Sequence, residues 1–195
     1  MEYPVHLKFK NIAIARQANM IDADGNSIAF ARQKILKLKE ELEVFQDSTK
    51  SKRVCTIKAD RVIDFRAAYG IFVEGEQSIG SIKRKGLRSL WRATYLLNDW
   101  DGSELATIVE EKPFAKVIDG IMGDVPLLGL FCNYVFNPSY VLKKEDGTEL
   151  FRITKSPSLL GSLFKIDKLS EVSAEEEILC LMGLLMMIFL EKARG

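Results

Sequence analysis

Histidine is nearly absent from this chain. There is one, His6, close to a terminus. A Ser-His-Asp or Cys-His site would have to recruit it, and nothing around it favours that. Cysteine is scarce as well: Cys55, Cys132 and Cys180 are far apart and odd in number. They form no Cys-x-x-Cys pair and no His/Cys cluster at metal-ligand spacing. A secreted disulfide framework is therefore not expected, and three free thiols fit a reducing cytoplasm. An excess of one charge is missing too: 28 basic and 27 acidic residues leave a net charge of +1. No global field draws the protein to nucleic acid or to membranes. Phosphate-cradling loops are absent. There is no GxGxxG, Gly80 and Gly86 have five residues between them, and Leu87 follows where a Walker lysine should stand. The opening MEYPVHLKFK is charged and mixed, unlike a signal or transit peptide. This inventory leads us to expect no metal, no cofactor and no enzymatic activity.

What is present is apolar. Hydrophobic residues make up 47% of 195 positions, ample for the core of one domain spanning 1–195. The most informative stretch is Ile178–Leu190, ILCLMGLLMMIFL, which carries no charge. As a helix it is about 20 Å long, too short for a bilayer that needs about 20 residues. A helix apolar on every side must be enclosed on every side. Ser173 with Glu176 forms a capping box at its start. Glu175–Glu177 at the positive end, and Lys192 and Arg194 at the negative end, suit the macrodipole. The expected helix runs from 174 to 193.

Nearly everything before it reads as strand. An acidic residue followed by glycine recurs at Asp24-Gly25, Glu74-Gly75, Asp101-Gly102 and Asp146-Gly147 between β-prone runs. That is a hairpin signal, because glycine supplies the positive φ of a tight turn. A further hairpin joins Leu42–Phe45 to Arg53–Ala59 through the polar loop QDSTKSK; Cys55, Ile57 and Ala59 share one face of its second strand. The remaining candidates are Val5–Phe9, Met20–Asp22, Ile28–Arg32, Ala67–Val73, Ser78–Lys83, Ala93–Asn98, Glu104–Glu110, Tyr134–Phe136, Tyr140–Lys143, Glu149–Thr154 and Leu163–Lys168. Ile35–Leu42 reads as a short helix or an exposed strand entry. Lys116–Pro126 reads as a loop or short helix, and Ser156–Gly161 as a loop. About twelve strands make a barrel wide enough to hold the helix, as eleven-stranded cans already do.

A set of short segments, in order, is similar to a known superfamily. It includes the turn at Asp22–Gly25, Arg32-Gln33-Lys34, Ile57-Lys58-Ala59, and the run Ile79-Gly80-Ser81-Ile82-Lys83-Arg84-Lys85-Gly86 leading into Ser89-Leu90-Trp91-Arg92 and Tyr95. Glu110-Glu111, Pro113, Asp119-Gly120, Pro126, Asn137-Pro138-Ser139-Tyr140 and the apolar C-terminal helix follow. Together they resemble the tubby-like superfamily, which includes the phospholipid scramblases, and within it the LURP-one-related proteins. The resemblance implies a twelve-stranded antiparallel closed barrel threaded by its C-terminal helix. For function it implies phosphoinositide headgroup binding by analogy with tubby domains, or a tie to membranes by analogy with scramblases. The chain lacks the cysteine-rich acylation segment and proline-rich N-terminus of the scramblases, and the long N-terminal extension of tubby proteins.

The sharpest functional feature is the cluster Lys83, Arg84, Lys85, Arg88 and Arg92, with Trp91 and Tyr95 interleaved and no acid from Ile79 to Leu97. Cations beside an interfacial aromatic suit an anionic headgroup. A charge run is more often a solvated face, here neutralised by Glu104, Glu110 and Glu111 of the next hairpin. Alternation also places Lys83 and Lys85 on one face and Arg84 on the other. The calcium-loop look of Asp22–Asn26 and Asp99–Gly102 fails on spacing: position twelve is Gln33 in the first, and position six is Glu104 in the second. Glu110 and Glu111 point to opposite faces of a strand and cannot act as a paired acid and base. Cys180, Met182, Met186 and Met187 read as core. The leading expectation is a peripheral, cytoplasmic module for anionic phospholipid at a membrane surface. A protein-interaction or scaffold module with an unidentified protein partner comes second. A scramblase-like protein whose helix leaves the barrel comes third.

Overall fold

The computed structural model describes residues 1–10, 15–34, 39–62, 67–85, 94–111, 138–157 and 162–194. Its strands are β1 (Val5–Phe9), β2 (Gln17–Ile21), β3 (Ser27–Gln33), β4 (Glu41–Phe45), β5 (Arg53–Ala59), β6 (Ala68–Val73), β7 (Gln77–Arg84), β8 (Thr94–Asp99), β9 (Glu104–Glu110), β10 (Ser139–Lys143), β11 (Glu149–Ser156) and β12 (Ser162–Lys168). One long helix follows, α1 (Ala174–Arg194). Each strand pairs antiparallel with its neighbour in sequence, and β12 returns to pair with β1 through Leu7 and Phe164. The sheet is thus a closed twelve-stranded antiparallel barrel with no free edge.

The limits of β1, β5 and β9 coincide with those expected from alternation. β2 begins at Gln17, three residues before the expected Met20; its first inward residue is the small Ala18, flanked by the outward polar Gln17 and Asn19, so its start carries little hydrophobic contrast. Within Ile35–Leu42, Glu41 and Leu42 belong to β4, paired with Lys58 and Ile57. Residues 35–38, the Tyr134–Phe136 strand, the 116–126 segment, residues 158–161 and Cys132 lie outside the described residues.

The acidic-glycine turns form as sequence chemistry requires. Gly25, Gly75, Gly102 and Gly147 take φ of 88°, 82°, 87° and 89°. In three of them the glycine amide donates to the residue three back: Gly25 to Asp22 O (3.1 Å), Gly102 to Asp99 O (3.0 Å) and Gly147 to Lys144 O (3.0 Å). The register of each hairpin shifts beside the turn. This is the three-residue connection in which a left-handed residue closes a type I turn with a bulge.

The helix starts where expected. Ser173 N donates to Glu176 Oε2 (3.2 Å) and Glu176 N donates to Ser173 Oγ (3.1 Å), a reciprocal capping box. Every residue from Leu179 to Phe189 is buried. Ile178, expected to be enclosed, is instead 48% exposed, because the first turn of α1 still stands outside the rim. Leu7, Val44, Ile57, Ile71, Ile82, Leu97, Ile108 and Ile166 face the helix from around the wall and join it in one core. The approach is tightest at β7 and β8. A Cβ on Gly80 would lie 2.3 Å from Asn98 O and 2.7 Å from Leu179 Cδ1, and one on Gly183 would lie 2.7 Å from Leu97 Cδ1.

The helix runs parallel to β1. Tyr3, just before β1, donates to Glu177 Oε1 (3.0 Å) at the helix start. Phe9, at the end of β1, packs on Phe189 with ring centroids 5.1 Å apart. Because strands alternate in direction, connections after even-numbered strands lie at the helix N-terminal end. Those after odd-numbered strands lie at its C-terminal end.

Two outcomes test the enclosed helix. Met187, fully buried, replaced by Asp would place an unpaired charge in apolar surroundings, a cost of several kcal/mol; chemical denaturation is expected to show loss of most of the cooperative transition. Burial raises the Cys55 and Cys180 thiols to about 12, so little thiolate forms at neutral pH. Site-resolved labelling with a polar thiol reagent is expected to reach both only after denaturation.

Candidate functional site

The basic cluster falls at the helix C-terminal end. Lys83 and Arg84 close β7, and Lys85 continues the ladder through its amide to Thr94 O (2.9 Å). Arg88, Trp91 and Arg92 lie outside the described residues. The structure divides the three described cations as alternation requires. Ile82 is fully buried, so Lys83 faces out from the barrel, exposed, with Lys85 also exposed, whereas Arg84 turns in. Lys83 and Lys85 make no ion pair among the described residues. Two of the three acids expected to neutralise the run bind other partners: Glu111 accepts from Arg152 Nε (3.2 Å) and from Ser139, and Glu104 from Thr107 Oγ1 (2.7 Å).

Arg84 lies over the ring of Tyr95, 5.9 Å from its centroid. The Tyr95 hydroxyl donates to Glu191 near the end of α1. Tyr95 and Tyr140 both point inward, and burial followed by the nearby Glu191 charge raises both phenols above their ordinary value. Tyr69 repeats the device further round, its hydroxyl donating to Glu40 Oε2 (2.6 Å). Phenol-to-carboxylate bonds therefore tie the wall to the helix and to a neighbouring strand end on this side of the mouth.

The opposite arc of the mouth is cationic, and sequence reading missed it. Lys155 pairs with the buried Phe164 across β11 and β12, so it faces inward at the rim. Arg16 also faces inward, its Nη1 donating to Gln33 Oε1 (3.2 Å). Lys192, on the last turn of α1, donates to Ser162 Oγ (2.8 Å) and stands 5.1 Å above the Phe9 ring. Burial first, then the charges of Lys155 and Arg16, lower its pKa. These three residues are remote in sequence; only the register and the inward alternation join them. A small cleft between Gln33, Glu40, Glu41, Leu42, Met186 and Phe189 has a volume of about 10 Å³, room for roughly one water; Glu41 there is paired with Lys34 and Glu40 accepts from Tyr69.

The other end of the barrel has the opposite character. Its turns carry Asp22, Asp24, Asp47, Glu74, Glu76, Asp99, Asp101 and Asp146. Several of these carboxylates fold back on their own turns, as where Asp22 Oδ1 accepts from the amides of Asp24 (3.1 Å) and Asn26 (2.8 Å). His6 is on the outer wall between Ile21 and Lys165, its Nδ1 buried without a hydrogen-bond partner. Among the described residues no group of three or more His, Cys, Asp and Glu side chains is placed to hold a metal ion. Compared with known proteins, the chain matches no family model and no curated protein.

Tyr95→Phe removes one buried donor and leaves the Glu191 carboxylate without it. A loss of about 1–3 kcal/mol is expected, read as a lower denaturation midpoint with an unchanged slope.

Proposed function

We propose that this protein is a non-enzymatic, tubby-like binding module of the LURP-one-related kind that takes anionic phospholipid headgroups at the helix C-terminal end of its barrel. The observation that carries this reading is the unpaired, outward placement of Lys83 and Lys85 on β7, at the end away from the acidic turns. The protein as a whole is nearly neutral, so attraction to an anionic surface requires charge sorted to one side, and the fold sorts it. Arg88, Trp91 and Arg92 continue the same run in sequence. A basic side chain near an anionic leaflet contributes about 1 kcal/mol, so a handful of them gives weak, reversible, peripheral attachment in a cytoplasmic setting.

A protein-interaction module is the second reading. It is favoured by Trp100, 73% exposed at the β8–β9 turn, with Leu169 and Ile178 also exposed at that acidic end. A scramblase-like exit of the helix is the weakest, because it would expose the whole buried surface from Leu179 to Phe189. Among the described residues no helix is long and apolar enough to cross a membrane.

Vesicle flotation separates these readings. The wild type is expected to float with acidic vesicles at low salt and to be released as salt rises, since exposed charges are screened beyond about 10 Å at 0.1 M. Replacing Lys83, Lys85, Arg88 and Arg92 with Ala is expected to abolish flotation with little change in melting temperature. Indifference of the wild type to acidic vesicles at low salt would end the lipid reading and leave the interaction module.

A further inference from the structure

We propose that Arg16, Lys155 and Lys192 form a discrete site inside the barrel mouth that binds one phosphomonoester-type anion, either free phosphate or the terminal phosphate of a lipid headgroup. This site is separate from the outward patch on β7 and does not depend on it. It lies on the arc made by β11, β12, β1 and β2, whereas Lys83 projects from the outer wall of β7.

Three observations carry the assignment. The first is convergence: residues from a strand start, a strand end and the last helical turn face the interior at one rim, with the Ser162 hydroxyl beside Lys192 as a further polar group. The second is the lack of a counter-charge, for none of the three makes an ion pair among the described residues. Glu191, one position before Lys192, is held by Tyr95, and Arg84 lies over that same Tyr95 ring. The third is partial enclosure. Lys192 stands over the Phe9 ring and its ammonium is desolvated and repelled by the other two cations.

Like charges gathered at one rim repel one another, and a bound anion would relieve that repulsion. The negative end of the helix dipole accounts for one cation on the last turn, and Lys192 occupies that place. It does not account for Arg16 or Lys155, which come from the wall. A phosphomonoester carries about −1.5 to −2 charges near neutral pH, and its several acceptor oxygens match a guanidinium and two ammonium groups. A phosphodiester carries one charge and suits the site less well.

Thermal melting tests this. In inorganic phosphate, against chloride at equal ionic strength, the wild-type midpoint is expected to rise saturably, as for any ligand that binds only the folded state. Arg16→Gln, Lys155→Gln and Lys192→Met, each made singly and each compared with its own midpoint in chloride, are expected to lose most of the phosphate-dependent rise. The Lys83→Ala, Lys85→Ala double variant is expected to keep it, so failure of the outer membrane patch would not be confused with failure of this site. Vesicles distinguish the source of the anion: preference for phosphatidic acid over phosphatidylglycerol, lost in Lys155→Gln, identifies a lipid phosphate, and a response to inorganic phosphate alone identifies the free anion. The proposal is overturned if wild type shows neither a phosphate-specific rise nor that vesicle preference. It is equally overturned if folded single variants all retain both.

Discussion

One constraint organises this molecule: a helix that is apolar all round has to be enclosed by something that leaves no edge. Twelve strands about 4.8 Å apart and tilted by about 40° close on a radius of about 12 Å. A helix with its side chains has a radius of about 5–6 Å. The difference leaves a shell of about 6 Å, room for one layer of inward side chains. The wall meets this limit with a mixture of large residues, such as Ile71, Ile108 and Phe151, and small ones, Ala18, Ala29, Ala31, Ala59 and Ala106. Where α1 comes closest, even an alanine methyl is too much. Gly80 lies against both the Asn98 carbonyl and the Leu179 side chain, and Gly183 gives way to Leu97. One of these glycines lies on the wall, in β7 against the helix, and the other on the helix against β8.

Enclosure has an electrostatic consequence. The helix enters parallel to β1, and every strand then reverses the one before it. All the acidic-glycine hairpins connect an even-numbered strand to the next, so they gather at the helix N-terminal end. That end is where a helix dipole is positive, and carboxylates there are stabilised while cations are not. At the other end Lys83, Lys85, Arg16, Lys155 and Lys192 collect, alongside Glu40, Glu111 and Glu191, which are held by Tyr69, Arg152 and Tyr95. A repeated turn motif, chosen locally because aspartate or glutamate and glycine close hairpins well, thereby becomes a global polarity in a protein of net charge +1.

How legible this was in the sequence depends on the range of the signal. The helix was legible because its apolar run is unbroken and its start carries Ser173 and Glu176 at capping-box spacing. The turns at Gly25, Gly75, Gly102 and Gly147 were legible because each needs a positive φ that glycine alone supplies without strain. Strand alternation also foretold that Lys83 and Arg84 would part company across the wall. β2 was harder, since Gln17–Ile21 alternates a small alanine with polar residues and carries little hydrophobic contrast. The cationic mouth was not legible at all. Arg16, Lys155 and Lys192 meet only because β11, β12, β1 and β2 are neighbours in a closed sheet, and closure pairs the two ends of the chain. No local pattern encodes that pairing.

A barrel filled by its own helix has little interior left to offer a ligand, so its chemistry is pushed to the rim and the outer wall. At the rim the inward positions change character within one alternation. Ile153 and Phe164 belong to the core, while Lys155, two residues beyond Ile153, is charged and partly open to solvent. The aromatic residues mediate the change. Phe9 is apolar toward Phe164 and Phe189 and presents its ring to Lys192. Tyr95 buries its ring beneath Arg84 and hands its hydroxyl to Glu191. One arc thus pairs its charges internally, carboxylate against phenol, and the other leaves three cations facing a common space. The mouth is asymmetric in consequence: the Glu191 carboxylate is held by Tyr95 on one arc, and Lys192 stands between Ser162 and the Phe9 ring on the other.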